Sequence, residues 1–466
     1  MPIITVQGAS SGSHVVVTVD GAGSGTLAGL VSSFSNTLAS GIAGGSISGQ
    51  NLTPGSTEFA SNASGYGVIT AAGSYQVSGD VGAIVFGGLP GTNQIPSAHV
   101  QIDASKGTAS FVSVEGGTTQ GVQFQAGSSN GVFVAGTGNN SFLGDQLAGG
   151  GNWSIYAGSG NDTVIAGTGN STINAGTGNN YISISQGTNV VDSYGQDTIF
   201  GGDCNPDQTV NLYGGSSFVT VGKDSQVSDL SGGNNAITVG GGSTVRGGAN
   251  DSINLNGGSS TILGGSSDTI SASGDALIAN SDIANVSVSG SLTFIGGTGQ
   301  STITAASSTI FGASGLDAIV NGTSNSAETL FVANAGNETL DGSNSVYGIH
   351  AFGNVVGTSG TQTFIGGTGS DTLVAGVGDA TMTGGSGDKN YFAFRDGIAG
   401  GDYTITDFGS AAGNVVGLLN YTQSDLTNAL NNATTSGNNT TIKLSDNTTI
   451  TFDNVTSLNS NDFQIW

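Results

Sequence analysis

The chain has 466 residues, 84 of them glycine, and only 8% are charged, against roughly a quarter in an ordinary globular domain, which argues against a conventional α/β enzyme. Lys plus Arg total 6 against 31 for Asp plus Glu, a net charge of −25, so no basic surface exists to neutralise nucleic-acid phosphates or an anionic membrane. No apolar window of membrane-spanning length occurs, and the N-terminus lacks the basic and apolar segments of a cleavable secretory signal.

Residues 1–133 carry no short repeat but contain longer alternating runs such as HVVVTVD and ASFVSVE. Such alternation is typical of antiparallel strands and marks a β-rich N-terminal domain. One stretch departs from it: Leu27, Leu30, Val31, Phe34 and Leu38 recur at three- and four-residue spacing, with Gly41 placed as a stop. The spacing predicts a helix over 26–40.

From 148 to 183 the chain reads AGGGNWSIY, AGSGNDTVI, AGTGNSTIN, AGTGNNYIS, four contiguous nine-residue units. Each has glycine at its second and fourth positions and one apolar residue at its eighth: Ile155, Val164, Ile173 and Ile182. A glycine turn followed by a three-residue strand, burying its middle residue, fits that period. A second run over 357–392 repeats it with Phe364, Leu373, Met382 and Tyr391 at the same place, and looser copies lie between. Such strands bury a face only by stacking, so 134–390 is expected to form a parallel β-solenoid or β-roll with two units per coil, on the order of 14 coils spaced by about 4.8 Å. Beyond 391 the glycine corners fade. Strands at DYTITDF, TTIKLSD and TTITFDN, and a short helix capped by Thr422 or Ser424 and containing Leu426 and Leu430, read as a small β-rich capping domain over 391–466.

The units match GGxGxDxUx, and here the sequence resembles the RTX, or haemolysin-type, calcium-binding family of β-rolls exported by type I secretion. The resemblance covers about 134–390 and extends toward DYTITDFGSAAGNVVGLL, which is similar to a segment that often follows such repeats. It implies Ca²⁺ as the cofactor, held between stacked turns by glycine-turn carbonyls and the Asp carboxylate. It also implies an uncleaved C-terminal export signal and an extracellular or cell-surface location.

The full motif occurs at Asp162, Asp317 and Asp371; elsewhere the sixth position holds Trp153, Ser171, Asn180, Gln362, Ala380 or Lys389. With two units per coil, Asp162 is expected beside Asn180 and then Asp197, on an edge able to hold metal. The opposite edge, with Trp153, Ser171 and Asn189, offers no carboxylate and is expected to be metal-free. Asp251 and Asp268, 17 residues apart and preceded by Asn235, form the best same-edge acidic pair. Lys389 lies two units after Asp371, placed so that its ammonium replaces a divalent ion.

The metal-free alternative is a solenoid held by Asn, Ser and Thr side chains bonding along the turns. The single Cys204 excludes an internal disulfide framework. No HExxH occurs, and GxSxG matches lack a strand-to-helix elbow. The expected function is therefore a non-enzymatic structural protein, a homo-oligomer or polymer in a surface layer, fibre or biofilm matrix. An adhesin or glycan-binding module that recognises a cell-surface polysaccharide is the alternative. A β-helical carbohydrate-active enzyme is the second, with Asp203 and Asp207 near Lys223 and Asp224 as its one acidic cluster.

Overall fold

Three-residue strands with one inward side chain have too little surface to stand alone, and in the computed structural model those of the repeats pair with the strand two positions away in sequence. The structure describes residues 3–18, 24–60, 62–91, 99–147, 149–202, 205–323, 328–334, 336–354 and 360–466, so Asp203 and Cys204 lie outside it. The chain divides into two units, Met1–Ser243 and Thr244–Trp466.

In the first unit two stacks of parallel strands face each other. One contains Tyr181–Ser183, which pairs with Thr163–Ile165 and Thr198–Phe200; the other contains Thr172–Gly176, which pairs with Trp153–Tyr156 and Val190–Ser193. Thr163 opposite Tyr181 gives the anticipated 18-residue coil. Ile155, Ile173, Val191 and Val210 line up inward from one stack and Val164, Ile182, Ile199 and Val219 from the other, each at most 1% exposed. Each such burial is worth about 1.5–3 kcal/mol, so the core is a thin slab repeated coil by coil. Near its start the slab thickens into an aromatic cluster of Phe124, Phe133, Phe142 and Trp153, with Phe142 and Trp153 edge to face at 5.1 Å.

The corners need glycine for close approach. Gly176 has φ +72, and a Cβ on it would lie 1.7 Å from the Gly158 carbonyl oxygen. Where the glycine pattern lapses, Asn234, Asn250 and Ser267 take positive φ themselves, as short polar side chains do most readily.

Parallel pairing begins earlier than the repeats, at Ile47–Asn51 against Ser64–Ile69. The stretch ASFVSVE is not antiparallel: Phe111–Gly116 pairs in parallel with Val81–Phe86 and Asn130–Val134. Alternation specifies a strand with two different faces and is silent about the direction of its partners. Within HVVVTVD, His14–Thr18 does form an antiparallel hairpin with Ile3–Gln7, while its last two residues lie outside the described ones. Helix α1 (Ser24–Gly44) packs with this hairpin on the outer face of the early coils, in a cluster with Val68, Val85 and Val134. It runs through Gly41 and stops at Gly45, φ +74. Gly41 serves close packing, since a Cβ there would lie 2.4 Å from Ile47 Cδ1.

The second unit is also built of stacked parallel strands. Its longest strands, Asn285–Ile295 and Gly299–Phe311, pair with each other in two segments separated by a register shift. After 391, Tyr391–Arg395 and Asp402–Ile405 pair in parallel with strands before and after them. Thr449–Phe452 and Phe463–Ile465 are the last strands to join in parallel. A hairpin, Thr434–Ser436 with Asn439–Lys443, adds the antiparallel element. Helix α2 (Gln423–Asn431) is capped by Thr422 in a reciprocal box with Asp425, and Leu426 is buried.

Candidate calcium-binding ladders

The sixth residue of these units lies between a glycine corner and the strand that starts at the next residue, and its side chain is buried beneath the corner. In the first unit these residues form a column. The Asn140 main-chain N–H donates to Asp162 Oδ1 at 2.6 Å, the Asp162 N–H to Asn180 Oδ1 at 2.8 Å, and the Asn180 N–H to Asp197 Oδ1 at 2.9 Å. Ser217 and Asn235 extend it, with Asp197 N–H donating to Ser217 Oγ at 3.1 Å and Ser217 N–H to Asn235 Oδ1 at 2.9 Å. The expected order Asp162, Asn180, Asp197 is thus the order in the structure.

Asp and Asn alternate here for an electrostatic reason. Asn140 Nδ2 donates to Asp162 Oδ1 at 3.0 Å and Asn180 Nδ2 to Asp197 Oδ1 at 2.9 Å, so each carboxylate faces an amide donor. Burial nonetheless pushes the Asp162 carboxyl up to about 7 despite its bonds from Asn140, with Asp197 adding to the rise. Burial also raises Asp197, whose Oδ2 accepts from Ser193 Oγ at 2.6 Å.

The opposite column contains Ser171, Asn189, Gln208, Ser225 and Ser243, joined by the same N–H to side-chain bonds and without a carboxylate. Trp153 has instead joined the aromatic core. A further pair of ladders, missed in the sequence, runs through the exposed fifth residues in the reverse sense. Asn161 N–H donates to Asn139 Oδ1 and Asn179 N–H to Asn161 Oδ1, both at 3.0 Å, and Asn152, Asn170 and Thr188 repeat this on the other side. Its signal was the recurrent Asn after GxG.

In the second unit Asp251 N–H donates to Asp268 Oδ1 at 2.9 Å, which places this acidic pair on one edge as its spacing suggests. Asp371 accepts from Ile349 N–H at 2.7 Å and from Gly367 N–H at 3.1 Å, and burial brings its carboxyl to about 7, with Asp407 adding to the rise. Its partner in the next coil is not Lys389. Asp371 N–H donates to Asn390 Oδ1 at 3.0 Å, because this coil is one residue longer than two units and Lys389 falls on the exposed side of the corner. Asp317 also stands apart. It faces outward on Leu316–Gly322, bonded by Gln300 Nε2 at 3.1 Å, while Leu316 turns inward. An unanticipated carboxyl, Glu338 of ANAGNETL, occupies the inward site, 2% exposed, and burial pushes it up to about 7.

Of the proposed acidic cluster, Asp207, Lys223 and Asp224 are exposed corner residues, and Asp207 N–H donates to the Lys223 carbonyl at 3.2 Å.

A hard cation such as Ca²⁺ requires several oxygens converging on one point. Around Asn140 Nδ2 the carbonyls of Gly138 and Ala157 and Asp162 Oδ1 lie at 3.0, 2.9 and 3.0 Å. Asp162 Oδ2 is buried with no hydrogen-bond partner. The Asn140 amide itself occupies the point on which these oxygens converge, so Asp162 and the two carbonyls would hold calcium only with that amide displaced. Among the described residues no three acidic, His or Cys side chains cluster, so turn carbonyls are essential to any such site.

A family model described as the RTX calcium-binding nonapeptide repeat matches residues 156–191 and 356–388, in four copies. The chain carries RTX repeats. With the parallel solenoid they fit an RTX β-roll protein, and the repeat is a calcium-binding one. No curated protein and no solved structure matches the chain. Among the described residues no helix is long and apolar enough to cross a membrane.

Proposed function

We propose that this RTX β-roll protein is an exported, non-enzymatic structural protein that binds Ca²⁺ along its inward columns and self-assembles at the cell surface or in the extracellular matrix. RTX repeats are typical of proteins exported by type I secretion, which supports the location. The observation that carries the reading is the buried carboxyls between coils in each unit, Asp162 and Asp197 in the first and Asp251, Asp268 and Asp371 in the second, each held in place by main-chain N–H groups. Burying ionised carboxylates without a counter-charge is costly, and calcium outside the cell, at millimolar concentration, matches the affinity range of extracellular sites.

Self-assembly is supported by the strands at the limits of the stacks. Gly55–Phe59 pairs only with Gly73–Gly79, and Phe463–Ile465 only with Val415–Leu419, among the described residues. Open strand edges are templates for another chain, and head-to-tail contacts propagate. Purified protein given Ca²⁺ should form ordered polymers visible by negative-stain microscopy and revert in chelator. Monomers under both conditions would defeat the assembly reading.

A further inference from the structure

We propose that the first unit binds a neutral polysaccharide lengthwise on the outer face of one strand stack. This goes beyond the architectural reading and does not depend on it, because the face is complete within one chain.

The outward residues of this stack fall into two columns. In the early coils Ser74, Gln101 and Gln123 occupy one, and Ser56, Gln76, Asp103 and Gln125 the other. Their polar groups are tied edge to edge. Ser74 Oγ donates to Gln101 Oε1 at 2.7 Å and Gln101 Nε2 to Gln123 Oε1 at 2.9 Å. Ser56 Oγ donates to Gln76 Oε1 at 3.1 Å and Gln76 Nε2 to Asp103 Oδ2 at 3.3 Å. These residues line an open groove of about 550 Å³. Each amide has two N–H donors and two acceptor lone pairs, so the rows retain both kinds of group for a ligand while their mutual bonds fix the side chains in advance.

Farther along, the same columns turn aromatic. Strand register carries Ser141 through Thr163 to Tyr181, Thr198 and Phe218, and Leu143 through Ile165 and Ser183 to Phe200. Tyr181, Phe200 and Phe218 are 45%, 44% and 64% exposed. Tyr181 and Phe218 stand two rungs apart in one column, with Phe200 on the middle rung of the other. Rungs repeat at about 4.8 Å, close to the repeat of pyranose units along a chain. Threonine occupies equivalent positions at 163 and 198, so the fold itself does not demand aromatic rings there.

Sugar C–H faces stack on aromatic rings, and hydroxyls both donate to and accept from amides. One polyhydroxyl chain therefore satisfies both halves of the face. A second copy of the protein seated on the rings would desolvate the amide half without matched partners, which is costly. Charge selects the polymer class. Between Ser56 and Thr220 the two columns hold one charged residue, Asp103, with Lys106 nearby to balance it, and the chain carries −25 overall. A polyuronate or sulfated polymer is repelled.

The test is affinity electrophoresis of the full chain in chelator, which keeps it out of calcium-dependent polymers, through gels containing hydroxyethylcellulose, xylan, galactomannan, soluble starch or alginate. Retardation is expected in at least one neutral polymer and not in alginate. Y181A/F218A and Q101A/Q123A should each weaken that retardation at least tenfold, with thermal melts and calcium-dependent polymers unchanged, which separates this site from assembly. Mobility unaffected by every neutral polymer, or retardation retained in both double variants, would overturn the proposal. So would loss of self-association in Y181A/F218A with sugar binding intact, which would assign the rings to a second copy.

Discussion

Asp162 donates its main-chain N–H to Asn180 Oδ1 at 2.8 Å, one coil ahead, and Asn180 does the same to Asp197. A single side chain per coil thereby closes the corner of the coil before it. Asn180→Ala should leave the buried Asp162 N–H unpaired and reduce stability by about 1–3 kcal/mol, read by chemical denaturation. Asn179→Ala, on the exposed face, should change it by less than half as much.

Asn180→Asp keeps the acceptor for Asp162 N–H but removes the amide donor to Asp197 and inserts a third carboxyl into the column. In chelator the variant should melt several degrees below the parent. Calcium, binding the folded form, should raise its melting temperature more than it raises the parent's. Equal gains in both proteins would separate this column from metal binding.

Asp162, Asp371 and Glu338 have folded pKa values near 7, above the ordinary carboxyl range, because they are buried. Between about pH 4 and 7 the folded form therefore holds more protons than the unfolded one, and stability falls as pH rises. In chelator the melting temperature should be higher at pH 5 than at pH 8.5, and Asp162→Asn should flatten the slope. Calcium competes with those protons, so its stabilising effect should be larger at pH 8.5.

Lys389→Ala should leave stability and calcium response unchanged. Asn390→Ala should cost about 1–3 kcal/mol, because it strips the acceptor from Asp371 N–H. A calorimetric comparison of the two adjacent substitutions tests the placement of this coil.

Glu115 lies beneath the N-terminal hairpin, fully buried, with Oε1 accepting from Ser113 Oγ at 3.2 Å and Oε2 without a partner. Burial pushes its carboxyl up to about 8, so the stability it contributes as a neutral acid is lost as pH rises through 8. Glu115→Gln should reduce the loss of melting temperature between pH 6 and 9.

The period of nine, the apolar eighth position and the glycine corners were enough to read the stacked coils, because each reflects a constraint local to one unit. The 18-residue offset then placed Asp162, Asn180 and Asp197 together. It failed at Lys389, where one extra residue in the corner advanced the column to Asn390. Asp317 matched the motif, yet the coil there is phased so that Leu316 is inward. The parallel strands before 134 could not be read because alternation is common to both pairing directions. Glu338 departs from the motif only in carrying glutamate where the pattern has aspartate, and ANAGNETL keeps the spacing.

Successive members of the first column are separated by 22, 18, 17, 20 and 18 residues, from Asn140 to Asn235, yet every bond joining them stays between 2.6 and 3.1 Å. The corners therefore act as adjustable slack while the columns keep time. In the longest of these turns, four residues longer than two units, the corner bulges outward at Leu147, 74% exposed. A short epitope grafted at that bulge should leave the rungs on either side undisturbed, which makes the scaffold extensible sideways without any change in its length.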